Sequence, residues 1–124
     1  MAYHGDGIDW GNATAGADLS SSQYLAVQVA ADGDIEVAAT DGPAIGILQN
    51  EPTEGQAAAI RVCGISKAVA GAHPIHEMDL VAAGTGGKIE AAATGQEVLG
   101  VALTATGAIN DVITILVLPT QRTV

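Results

Sequence analysis

From Tyr24 onward apolar and polar positions alternate through Leu25-Ala26-Val27-Gln28-Val29 to an Asp32-Gly33 turn, and Ile35-Glu36-Val37 continues on the far side. Alternation on both sides of a short Asp-Gly turn predicts a β-hairpin. Gly42-Pro43 then breaks the chain, and Ile45-Gly46-Ile47-Leu48 follows as a short buried strand. Beyond a polar loop at 50–55, Ala58 to Ile65 reads as a strand, with Lys67-Ala68-Val69 as a further strand before Gly71. Gln56 to Ala59 is alanine-rich but short and uncapped, which leaves room for at most one helical turn. Leu80-Val81-Ala82, a Gly84-Thr85-Gly86-Gly87 turn, Ile89-Glu90-Ala91 and Val98 to Leu103 give the hairpin and strand again. Val112 to Leu118, the most β-branched run, closes the series.

That recurrence is written in identities. Gly33 to Gly46 matches Gly87 to Gly100 without a gap at Gly33/Gly87, Ile35/Ile89, Glu36/Glu90, Ala38/Ala92, Ala39/Ala93, Thr40/Thr94 and Gly46/Gly100. One β-rich unit of about fifty-four residues has been doubled, and two such units are too few for a solenoid, which needs roughly three or more. The fold class expected is all-β, a small barrel or sandwich of two similar units packed face to face.

Residues 1–17 lack either periodicity and set Tyr3, Ile8 and Trp10 among Gly, Asp, Asn and Thr. They read as an extended N-terminal arm ahead of a single β domain at 18–124. Large apolar side chains on an arm suit docking; the alternative is that Trp10 folds back and caps one end of the core.

Composition bounds the partners. The 124 residues suffice for one domain, and the 48% hydrophobic content includes only two Tyr, one Trp and no Phe. An Ala/Val interior gains less per buried position than an aromatic one, so completion by self-association or by a larger surface is expected. Fourteen acidic against four basic residues give a net charge of −10. Arg61, Lys67, Lys88 and Arg122 stand singly, which argues against binding nucleic acid or an anionic membrane. The N-terminus lacks a secretory pattern and no run approaches the ~18 apolar residues of a membrane span, so synthesis in a cytosol is expected. Asn12-Ala13-Thr14 is then a polar loop and not a glycosylation acceptor.

Candidate chemistry is thin, and no cofactor, metal or catalytic residue is expected. His73, His76, Glu77 and Asp79 crowd one segment, but Pro74 prevents a helix that would align the two imidazoles for a metal. Gly84-Thr85-Gly86-Gly87-Lys88 lacks the Ser or Thr of a phosphate loop and leads into a strand. Asp32, Asp34 and Glu36 alternate like calcium ligands without the glycine and distal Glu of such a loop. Ser20, Ser21, Ser22 and Ser66 lack a nucleophile context. Cys63 reads as a small buried hydrophobe.

In order along the chain stand Asp18-Leu19-Ser20 leading to Tyr24, Pro43-Ala44-Ile45-Gly46-Ile47-Leu48, the Gly64 strand, Gly71-Ala72 with Ile75, Asp79-Leu80-Val81, Leu99-Gly100-Val101-Ala102-Leu103 and Asp111-Val112-Ile113-Thr114-Ile115-Leu116-Val117. Over residues 16–118 this series resembles the capsid cement or head decoration proteins of tailed bacteriophages. Met78 departs from the pattern, since similar proteins commonly place Gly before the Asp of that turn. The resemblance implies a non-enzymatic protein on the outer surface of the virion's capsid, bound to the major capsid protein, often as a homotrimer at threefold or quasi-threefold positions. Tyr3, Ile8, Trp10, Leu19 and Tyr24 are the residues expected to touch capsid protein or a neighbouring copy, with Ala- and Val-rich strand faces in the self-contact. Two alternatives belong to other classes: a lipoyl- or biotinyl-like carrier modified at Lys88, and a virion-surface glycan-binding module using Trp10, Tyr3 and Tyr24.

Overall fold

A computed structural model describes residues 2, 5–40 and 42–118. The chain is all-β. Its strands are β1 (Gly7–Thr14), β2 (Ala26–Val29), β3 (Ile35–Val37), β4 (Gly46–Leu48), β5 (Ala57–Val69), β6 (Leu80–Ala83), β7 (Ile89–Ala91), β8 (Gly100–Ala102) and β9 (Val112–Val117). Among the described residues the only helical element is a 3-10 turn at Thr85–Gly87. Neighbours run in the order β3-β2-β4-β5-β9-β8-β6-β7, with β1 also on β5, and every ladder is antiparallel.

The sequence repeat is a structural one with the same register. Val27↔Val37, Gln28↔Glu36 and Val29↔Ile35 in the first hairpin become Val81↔Ala91, Ala82↔Glu90 and Ala83↔Ile89 in the second. Ala26↔Ile47 and Val27↔Gly46 become Leu80↔Val101 and Val81↔Gly100. The correspondence also reaches back before residue 18. Ala13↔Ala58 and Thr14↔Ala57 are matched by Ala68↔Ile113 and Val69↔Val112, which makes β1 the counterpart of the second half of β5. Parallel bridges Ala15↔Ile35 and Ala70↔Ile89 bring the outer strand of each hairpin round to the segment after each unit's first strand. Each unit thereby curls toward a small barrel.

The two units, expected to pack face to face, are not two separate sheets: β5 serves both, so they form one continuous sheet that curls until a face of the first unit meets the second. Ala58–Ile65 and Lys67–Val69, expected as separate strands, are one strand of 13 residues, and the alanine-rich stretch from Ala57 is extended and not helical. The strand changes unit at Gly64, whose φ of +116° is a conformation that side-chain-bearing residues rarely adopt. A Cβ there would sit 2.4 Å from Gly7 Cα, so the start of β1 crosses β5 at a point where only backbone fits.

Two apolar clusters follow from this layout. Leu19, Val27, Ile35, Leu48 and Ile60 fill the first unit. Ile75, Val81, Ile89, Leu99, Ile113 and Ile115 fill the second, and the same cluster takes in Ala26, Ala38, Ala44 and Ile47 from the outer side of unit one. One face of the first unit is therefore covered by the second.

Candidate docking surfaces

β1 is a strand with almost no interior side. Only Ala13 is buried along Gly7–Thr14, and bulges at Ile8/Asp9 and Trp10/Ala13 interrupt the alternation that would otherwise turn every second residue inward. Ile8 is 66% and Trp10 38% exposed, and Trp10 belongs to neither apolar cluster, so it does not cap the core. The segment is nevertheless held in place. Arg61 on β5 donates from Nε to Asp9 Oδ1 at 2.5 Å and from Nη1 to the carbonyls of Gly5 at 2.9 Å and Ile65 at 2.5 Å. The charge-assisted bonds to the Gly5 carbonyl and the Asp9 carboxylate fix the start of the strand that presents these apolar side chains, while the bond to Ile65 holds the guanidinium on β5.

The other expected contact residues are placed differently. Leu19 is 2% exposed and packs inside the first unit, so it has no surface to offer a partner. Tyr24 is half-buried at a left-handed backbone position, φ 68°, just before β2. It packs against the second unit's cluster, with the Lys67 ammonium 5.9 Å from its ring centroid, and its carbonyl accepts the Val69 N–H at 3.1 Å. Tyr24 is thus a joint between units. Tyr3 lies outside the described residues.

Further exposed apolar side chains stand at the far end of the duplication, Met78 at 74% and Leu80 at 38%. By sequence alone Met78 reads as a turn residue and Leu80 as a core strand residue. The available signal was their offset from Tyr24 and Ala26.

The segments tested for chemistry are occupied locally. His73 Nδ1 lies 2.8 Å from Thr106 Oγ1, and the His76 N–H donates to Asp79 Oδ2 at 2.9 Å. Lys88 donates to Asn110 Oδ1 at 2.7 Å. Asp32 accepts the Asp34 N–H at 3.0 Å, and Glu36 accepts from Gln28 at 2.5 Å. Ser20 donates its N–H and hydroxyl to Asp18, which holds that carboxyl below its ordinary range. Cys63, paired with Ile8 of β1, is half-buried, not fully buried as expected. Among the described residues no group of three or more His, Cys, Asp or Glu is placed to hold a metal ion, and no helix is long and apolar enough to cross a membrane.

No protein-family model matches the chain, and no curated protein matches it. Among solved structures it is similar to the N base of head fiber gp8.5 of bacteriophage phi29, with a TM-score of 0.68 at 16% identity, over 94% of this chain and 97% of that one. At this identity the likeness shows a shared fold.

Proposed function

We propose that this chain is a structural, non-enzymatic protein of a tailed-phage virion: a decoration protein that binds the outer surface of the assembled head and ties neighbouring major capsid proteins together. The observation that carries the reading is the pair Ile8 and Trp10, two large apolar side chains exposed on a strand that Arg61 ties to β5 through Gly5 and Asp9. Exposed apolar anchors on ordered backbone lose little conformational entropy when they dock, which suits a binding surface. Fold similarity to a phage head-fibre base agrees with such a place, and the net charge of −10 favours a protein lattice over nucleic acid. Copies linked as homotrimers at threefold or quasi-threefold positions would convert modest contacts into tight retention through effective concentration.

The test is decoration of purified heads by the full chain and by an Ile8→Ser/Trp10→Ser double variant. Deleting residues 2–15 would be a poor substitute, because Ala13 is core and β1 pairs with β5 down to Thr14. Reduced occupancy by a folded double variant supports the reading, and unchanged occupancy removes this face from the mechanism.

A further inference from the structure

The contact between the two units runs in one direction, which leaves one half of it unused at each end of the chain. The second unit's turn inserts against the first: Gly87 is buried, and a Cβ on it would lie 2.6 Å from Val37 Cγ1 and 2.9 Å from the Ala26 carbonyl. The equivalent turn of the first unit has no such neighbour among the described residues, for a Cβ on Gly33 would meet nothing within 4 Å. Beside these turns Ala83 is buried and its counterpart Val29 is exposed. The receiving side shows the complementary inequality. Ala26 is wholly buried, while Leu80 in the same place on unit two is exposed; Tyr24 packs between units, while Met78 projects into solvent.

Met78 sharpens the point. Its φ is 70°, a left-handed position where a side chain costs roughly 1–2 kcal/mol and glycine costs nothing. Both units keep a large side chain there, and in unit one that side chain plugs the junction. A face and its complement at two different places on one molecule form a heterologous pair, which can be satisfied by a second chain and closes into a ring when the rotation allows.

We infer that a second copy of this chain docks the Val29–Gly33 end of its first unit onto the Met78–Leu80 face of this chain's second unit, repeating between molecules the junction already made within one. The inference rests on the self-association reading above and names its surface. Charge sets its conditions. Asp32 and Asp34 flank Gly33, whereas Gly86 and Lys88 flank Gly87, and Glu77 and Asp79 border Met78. Carboxylates then meet across the intermolecular junction, so salt that screens them strengthens association.

Sedimentation velocity of the full chain, over a concentration series at low and high salt, tests this. Met78→Asp/Leu80→Asp blocks the receiving face and Val29→Asp blocks the inserting end; serine at the same positions serves if aspartate disturbs folding, as judged by circular dichroism. Each blocked variant is expected to associate at least about tenfold more weakly than the wild type, since a buried apolar anchor replaced by a charge removes that much binding energy or more. Mixed in equal amounts, the two variants are expected to form a 1:1 dimer with one intact junction. Wild-type self-association by folded variants, a mixture that stays monomeric, or a wild type that is monomeric at both salts overturns the inference. Head occupancy of the same variants is read separately: a monomeric wild type that still decorates heads overturns this junction alone, whereas a self-associating chain that ignores heads overturns the capsid reading alone.

Discussion

Gln28 and Gln96 deliver the same carboxamide to the same place in the two units from positions that are not equivalent. Gln28 donates to Glu36 Oε2 at 2.5 Å while its Oε1 accepts the Ala39 N–H at 2.9 Å. Gln96 donates to Glu90 Oε1 at 2.7 Å and accepts the Ala93 N–H at 2.6 Å. Glu36/Glu90 and Ala39/Ala93 are repeat partners, yet Gln28 stands on β2 where unit two has Ala82, and Gln96 stands after β7 where unit one has Gly42. The turn after each hairpin requires an amide bridging its carboxylate and its backbone, and either neighbouring position can supply it.

Replacing either glutamine by alanine is expected to cost about 1–2 kcal/mol, the penalty for leaving a half-buried amide and carboxylate unpaired. The partners named at the two sites are different residues, so the double variant's loss in urea denaturation is expected to equal the sum of the singles to within about half a kcal/mol. Gly42→Gln added to Gln28→Ala recovers part of the loss, because it restores the arrangement of unit two.

Gly46→Ala and Gly100→Ala are each expected to prevent stable folding or to lower the denaturation midpoint far more than alanine at Gly11, an unobstructed strand glycine. A Cβ at Gly46 would lie 2.2 Å from the Arg61 carbonyl, and one at Gly100 would lie 2.0 Å from that of Leu116. Backbone cannot step aside without breaking the ladder, so the cost exceeds the usual 1–3 kcal/mol of overpacking. Gly11→Ala, with nothing within 4 Å, is the control and is expected to stay within about half a kcal/mol of wild type.

Arg61→Met is expected to release the start of β1 while the rest of the sheet stays folded. The bonds to the Gly5 carbonyl and the Asp9 carboxylate, which tie the N-terminal segment to β5, disappear together, a loss of about 2–3 kcal/mol felt locally. Amide exchange should quicken over residues 7–10 and Trp10 emission should change. Asp9→Asn costs less than about 1 kcal/mol, because Asp9 is exposed and its ion pair is screened.

Asp18 provides an acid-sensitive contact. Ser20 holds its carboxyl below the ordinary range, so the folded state favours the ionised form. Its contribution is complete above the ordinary carboxylate range and is lost as pH falls through the lowered folded midpoint. Carboxyl carbon NMR should find Asp18 titrating below an ordinary aspartate, and Ser20→Ala should move the midpoint back up.

Alternation and turn chemistry determined the all-β class, both hairpins and the doubling, because these depend on neighbours within a few residues and on identities such as Glu36/Glu90. The full extent of the repeat was also legible: Ala13, Ala15, Gly16 and Ala17 recur as Ala68, Ala70, Gly71 and Ala72, one position out of step with the rest. That single-residue slip, set by a connection between β5 and β6 (residues 70–79) one residue shorter than the connection between β1 and β2 (residues 15–25), hid the kinship of β1 and β5 from an ungapped comparison. Only the tertiary structure decided that β5 is continuous, that Arg61 clamps β1, and that Tyr24 is covered while Met78 is bare. A strand's pattern specifies which side chains share a face, but which of two like faces another element covers depends on where the chain travels afterwards. Duplicated units of one sequence pattern therefore meet unequal surroundings.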